Sequence, residues 1–589
     1  MRYLAVSANA FAPFLAFLAL VFPSGEIFSK QPSDEVHRDF STQPIQQPGM
    51  RGGTLVISSH SEPKTLNPLL AIGSTTRKVI GLLNADLIHI NSATQQTEPA
   101  LAESWTVTDG GRRYVMRLRQ GVHFSDGSTF DADDVVFTFR AYLDERVQSP
   151  QRDLLIVAGK PIQAKKIGQY TVAFLMNEPY AAAERLFDGI AMLPRHLLER
   201  QLARGTLRSN WTLATNPSEI AGLGPFRFAM YKPGQRIILE RNPFYWKRDK
   251  AGTQLPYLDR ISMNFVASTD AEVMRFEQGE TDLIDNLDAQ SFALLERRQG
   301  AGSFRALDLG AGLEYDFLFF NQNALTSEPF PHFFERQKWF AETGFRKAVS
   351  DAIDREALVR IAYFGRADAL ATVVTPGNRK WIDPAIPKPV RSLSRARHLL
   401  SDCGFSWSKD NLLLDPAANP VRFAITYNAS KPQQAQMATL IQQDLRDIGI
   451  RVDLDGVEPH TLSDRVFSTH RYEAAMIGLA GGDADPNSEL NVVTSTGTAH
   501  IWRLKSTAPA SKWQAEIDQL MKKQLITTNF VERRNLYNRV QELMWENMPM
   551  ICLVSPHVLV AAKNTVENFH PAILGSQTLW NSDRLFLRR

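Results

Sequence analysis

At 589 residues the chain exceeds the size at which one hydrophobic core keeps growing, so two or three lobes are expected. Apolar residues at 44 % and charged residues at 22 %, with 34 Phe and 10 Trp, exclude a largely disordered chain and supply material for large cores and aromatic-lined pockets. The 66 basic and 63 acidic side chains leave a formal charge of +3, too balanced to be an electrostatic footprint for nucleic acid.

In chain order, Arg2 precedes an apolar run from Ala10 to Phe22, the length of a signal-peptide core and shorter than a membrane-spanning helix. Export is the expectation. Residues 1–25 read either as a signal peptide cleaved near Pro23, Ser24 and Gly25 or as an uncleaved anchor. Residues 26–50 are polar and rich in Gln and Pro, a flexible leader before a fold that starts near Arg51. Thr54 to Ser58 reads as a strand, and Pro63 and Pro68 keep the stretch after it from forming one continuous helix. Trp105 and Val107, then Asp109-Gly110-Gly111, then Tyr114, Met116 and Leu118 spell a hairpin. Asp131 is placed to cap a helix whose apolar positions are Val135, Val136, Phe139, Tyr142 and Leu143.

A second helix is expected from Phe345 to Ile361. Val421 to Tyr427 alternates as a strand, Met437 to Ile448 carries a helical stripe, and Ile450 to Leu454 alternates again, with Gly449 as the helix stop. This is a βαβ unit, which implies a partly parallel sheet. Hairpin and βαβ signals in separate segments argue for an α/β protein of more than one lobe. Cys403 and Cys552 are the only cysteines and lie far from the apolar run, so lipid attachment beside it is excluded. A disulfide between them and two separate thiols both remain open.

Catalytic signatures are missing: the sequence holds no G-x-S-x-G, no H-E-x-x-H, no phosphate-cradling loop and no paired C-x-x-C. Gly222-Leu223-Gly224-Pro225 reads as a tight turn entering a strand rather than as a dinucleotide fingerprint, which needs a third glycine. The 12 histidines are scattered, without metal-ligand spacing. No cofactor, no metal and no enzymatic activity are expected.

Several ordered blocks carry a family resemblance. Glu98 to Trp105 resembles a P-x-L-A-x-S-W segment, and YVMRLRQGVHFSDGSTFDADDVVF, from Tyr114 to Phe137, resembles a strand, R-x-G-V-x-F, a D-G turn and A-x-D-V at a helix start. Gly222 to Phe226 is similar to G-T-G-P-Y/F with Leu223 for threonine, and Arg241 to Trp246 to R-N-P-x-Y-W. Phe320-Asn321 and Phe345 to Arg355 resemble an F-N and V-R-x-A-x-x-x-A-I-D-R pair. On these blocks the chain resembles the extracytoplasmic solute-binding proteins, family 5, of oligopeptide, dipeptide and nickel ABC importers. The resemblance implies a two-lobed periplasmic-binding-protein type II fold with an additional third domain. Lobe I would comprise residues 51–79, 222–312 and 548–589, domain II residues 80–221, and lobe III residues 313–547. It also implies a monomeric binding protein outside the cytoplasm that holds a peptide or another small molecule between its lobes and delivers it to permease subunits.

In peptide-binding members an acidic loop of the form G-W-x-x-D-x-x-D-P receives the peptide ammonium group, and the matching loop here runs from Gly478 to Pro486. Asp483 is the first candidate and Asp485 the second, because a carboxylate opposite an ammonium makes a closed cleft tolerable for both charges. Leu479 replaces the tryptophan and the aspartates are one residue closer, so the loop also suits another solute; an Asx-type turn before Pro486 explains the same residues structurally. Gly481 and Gly482 permit close backbone approach or a positive φ. Trp502 is a candidate aromatic wall or a core residue, His500 a candidate ligand or metal-chelate contact, and His60 and Ser61 either cleft residues or exposed loop. A hydrolase built on Asp483 and Asp485 is disfavoured, because acid and base should flank the reacting bond.

Overall fold

The computed structural model describes residues 48–300, 302–323, 331–481 and 484–588, with the backbone alone for 331–335. The apolar run before Pro23, the leader up to residue 47, and both Gly482 and Asp483 lie outside the described residues. Among those described, no helix is long and apolar enough to cross a membrane.

The chain builds one 12-stranded mixed sheet, bent into two lobes, and a separate four-stranded antiparallel sheet. The first lobe's part orders strands Phe226–Lys232, Arg236–Arg241, Arg260–Phe265, Thr54–Ser59 and Leu283–Ile284 side by side. The second lobe's part orders Glu314–Phe320, Ala474–Ala480, Arg422–Asn428 and Arg451–Val457. The strand Met550–Lys563 joins them: Met550 to Val554 pair with Glu314–Phe320, while His557 to Lys563 pair with Phe304–Ala311. The ladders are interrupted between Asp308 and Ala311 and between Asp316 and Phe317, so the bend sits beside Pro556, which has no N–H to donate.

The local expectations fare well where they rest on turn and cap chemistry. The hairpin forms as Ala102–Thr108 and Arg113–Leu118, with Val107 opposite Tyr114 and Trp105 opposite Met116. Asp131 makes a full capping box with Asp134 at the start of Ala132–Leu143. The βαβ unit appears as Arg422–Asn428, Pro432–Arg446 and Arg451–Val457, the strands parallel from Arg422 opposite Arg451 onward, and Gly449 takes φ 87°.

The helix expected from Phe345 to Ile361 is instead broken. It spans Thr343–Ala352, and Asp354 starts a new turn by accepting from the Ala357 N–H while its own N–H goes to Asp444 Oδ2 at 2.9 Å. Apolar spacing continues through the break, which is why periodicity alone missed it. Arg355, just beyond, is buried and holds the Cys552 and Ser350 carbonyls at 2.8 and 2.9 Å. Both cysteines are free thiols; Cys552 is buried, and burial pushes its thiol up to about 12.

The blocks that carried the resemblance hold the frame together. Gly222 and Gly224 lie against the Leu82 and Leu83 carbonyls so closely that a Cβ on either would collide with backbone. Close approach, not positive φ, is what requires glycine there. Asn242 then locks that turn by donating from Nδ2 to the Gly224 carbonyl at 2.9 Å and accepting from the Phe244 N–H at 2.9 Å. Arg346 is buried with its guanidinium on the carbonyls of Phe340, Asn547 and Met548, holding the C-terminal ends of two helices at once.

Candidate functional site

The strand Ala474–Ala480 lies in register with Glu314–Phe320 and ends at Gly481, whose N–H donates to the Leu313 carbonyl at 3.0 Å. The chain therefore leaves the sheet at the point where the lobes meet. Ala484, the next described residue, is buried with Ile90 and Leu574, which come from distant parts of the chain. Asp485 caps the short turn Pro486–Glu489 by accepting from the Asn487 N–H at 3.0 Å.

Asp485 is 3 % exposed and is gripped bidentately by Arg533, at 2.8 and 2.6 Å. The guanidinium also donates to Gln524 Oε1 at 2.9 Å and lies 5.0 Å over the Trp381 ring. Arg185, from the antiparallel unit across the seam, approaches the same carboxylate at 3.6 Å. Four residues on, Glu489 is buried as well, but its partner is a phenol: Tyr315 Oη donates at 2.8 Å. Burial pushes the Glu489 carboxyl up to about 7 against the pull of the Tyr315 and Ser488 hydrogen bonds.

The loop also reaches across the seam. Asn487 Nδ2 donates to Tyr180 Oη at 2.9 Å, the Ala181 N–H to the Leu525 carbonyl at 2.7 Å, and Gln95 Nε2 to the Gly377 carbonyl at 3.0 Å. Residues 95 and 180–185 thus face residues 377, 485–487 and 525 through directed polar contacts.

The remaining sequence candidates lie in other settings. His500 is 1 % exposed, with Nδ1 bonded to the Val492 carbonyl at 3.0 Å, its ring centroid 4.0 Å from that of Trp502, and its pKa pushed down to about 4 by burial. Trp502 is 1 % exposed and belongs to the core that also contains Phe319 and Tyr472. His60 and Ser61 sit in the other lobe at the end of Thr54–Ser59, exposed, with His60 Nε2 on Glu272 at 2.7 Å and Ser61 Oγ on Thr75 at 2.8 Å. The loop brings Gly481 and Asp485 together and leaves His60, Ser61, His500 and Trp502 apart from them. Arg533, Arg185, Tyr180 and Glu489 escaped sequence reading. No spacing rule links Asp485 to a guanidinium 48 residues later or to one on a distant helix.

A family model for bacterial extracellular solute-binding proteins, family 5, middle region, matches residues 96–500, more than half of the chain. The chain belongs to that family. The binding protein is 27 % identical over 537 residues to a probable ABC transporter-binding protein of Deinococcus radiodurans, covering 88 % of this chain and 89 % of that one. It is 24 % identical over 548 residues to the oligopeptide-binding protein AppA of Bacillus subtilis, covering 92 % of each. Among solved structures, NikA from Brucella suis in complex with Fe(III)-EDTA superposes with a TM-score of 0.75 at 20 % identity, covering 91 % of this chain and 100 % of that one. The shared fold is the two-lobed type II arrangement expected from the sequence blocks. Family 5 consists of extracytoplasmic solute-binding proteins of ABC importers, and capture of a solute is the function that membership assigns.

Proposed function

We propose that this protein takes a short peptide, or a solute of similar amphiphilic character, into the seam between its lobes and hands it as a monomer to permease subunits, without chemistry of its own. The observation that carries the reading is the polar seam itself, in which Asn487 and Asp485 meet Tyr180 and Arg185. Such contacts form only when the lobes approach, so they favour a closed state that ligand contacts then populate. Peptide is the favoured solute class because the relatives that align over most of the chain include oligopeptide- and dipeptide-binding proteins. On this reading lobe I is residues 51–79, 222–312 and 548–589, with Met550 to Val554 of its last long strand paired into lobe III, domain II is 80–221 and lobe III is 313–547, and the segment before residue 26 directs export.

Asp485 already faces two guanidinium groups, so the ligand ammonium is assigned to Asp483, which follows Gly481 and Gly482 in the sequence. Mass spectrometry of material released from the purified protein, followed by calorimetry with a peptide pool, tests the reading. Asp483→Asn is expected to weaken binding of peptides with a free amino terminus by about tenfold or more, and to leave their N-acetylated forms unchanged. Equal loss for both forms, or no ligand across a broad peptide panel, would overturn it.

A further inference from the structure

Beside the seam, three side chains of the antiparallel unit converge. His89 stands in the middle of the short strand Ile88–Ile90, Asp86 precedes that strand, and Asp188 closes the helix Ala183–Asp188. One ligand-type atom from each lies within 4.8 Å of the other two. His89 Nδ1 is 3.4 Å from Asp188 Oδ1 and 4.0 Å from Asp86 Oδ1. We infer that Asp86, His89 and Asp188 form a binding site for a divalent transition-metal cation of the zinc class.

Three features of the placement support this. First, a cation bound at about 2.0–2.2 Å in tetrahedral geometry separates its ligand atoms by about 3.3–3.6 Å. The His89–Asp188 distance already matches that spacing, and the Asp86–His89 distance exceeds it by about half an ångström. Second, Asp188 ends a helix, where the aligned peptide dipoles disfavour a carboxylate and favour a cation. Third, the side chains are orientated yet open: the Ile90 N–H donates to Asp188 Oδ1 at 2.7 Å, fixing the carboxylate, while the three side chains remain 21–35 % exposed, which leaves an entry path. One imidazole and two carboxylates suit zinc, cobalt or nickel better than calcium, which takes six or more oxygens, or magnesium, which keeps most of its waters.

The site also has a structural consequence. Ile90, next in the strand, packs on Ala484 and Leu574, so a cation tying the strand to the helix end would stiffen the wall against which the seam loop rests. This inference does not depend on the nature of the transported solute. The test is calorimetric titration of tag-free, EDTA-stripped full chain with zinc chloride, and visible spectroscopy after cobalt(II) loading. One cation per chain is expected, with cobalt bands of an N/O-ligated ion. His89→Gln should abolish the bands, and Asp188→Asn, which keeps an acceptor for the Ile90 N–H, should weaken zinc binding by about tenfold or more. Thermal melts establish that each variant is folded, and Asp188→Asn carries the test if His89→Gln is not. Absence of zinc binding, or binding unchanged in the folded variants, would overturn the inference and leave the triad an ion-paired brace.

Discussion

Two buried carboxylates four residues apart on one loop are handled in opposite ways. Asp485 sits between the bidentate Arg533 and the nearby Arg185, whereas among the described residues Glu489 meets neutral donors, chiefly Tyr315, and is pushed toward its protonated form by burial. A charge removed from water is tolerable when a cation of matching geometry comes with it; without one, the group holds its proton instead. The seam loop thus combines one strongly charged anchor with one group poised near neutrality.

Breaking the charged half should have the largest effect. Arg533→Ala leaves Asp485 buried without its bidentate partner and is expected to lower unfolding stability by about 3–5 kcal/mol in chemical denaturation, while Arg533→Ala with Asp485→Asn recovers part of that loss. If the single and double variants are equally destabilised, the guanidinium matters through packing on Trp381 rather than through charge.

The neutral half is read by pH. The native carboxyl of Glu489 lies above its ordinary value, so between about pH 4.5 and 7 the folded protein binds more protons than the unfolded chain. Stability from this group is full below that window and is lost as pH rises through it, by at most about 1.4 kcal/mol per pH unit. Glu489→Gln should flatten this part of the stability-versus-pH curve, and an unchanged slope would remove the contrast with Asp485. The smallest effect is expected at the contact between them: Tyr180→Phe removes the hydroxyl that accepts from Asn487 and should cost about 0.5–1.5 kcal/mol of closed-state stability, seen as a several-fold weaker ligand affinity with little change in melting temperature.

Features coded by neighbouring residues were readable from the sequence. The Asp109-Gly110-Gly111 turn, the Asp131 cap and the Gly449 stop each satisfy a local backbone demand, and each appears where it was expected. The break at Asp354 was hidden because apolar spacing persists across it while the decisive bond comes from Asp444, 90 residues away. The same holds for the candidate site. The loop was visible through its Gly and Asp content, but the Arg533 and Tyr315 that define its electrostatics arrive through tertiary packing, 48 residues after Asp485 and 174 residues before Glu489. Trp502, open in the sequence to a ligand wall or a core position, is 1 % exposed, because the same aromatic bulk suits both.

The strand Met550–Lys563 gives the two lobes a mechanical connection of a particular kind. Its first half is laced into one lobe and its second half into the other, so relative motion must flex a single hydrogen-bonded ribbon beside Pro556. Opening therefore bends this shared strand as well as parting the polar contacts of the seam. The shared strand thereby keeps both lobes within one hydrogen-bonded sheet, so the seam residues of each are held in a common frame.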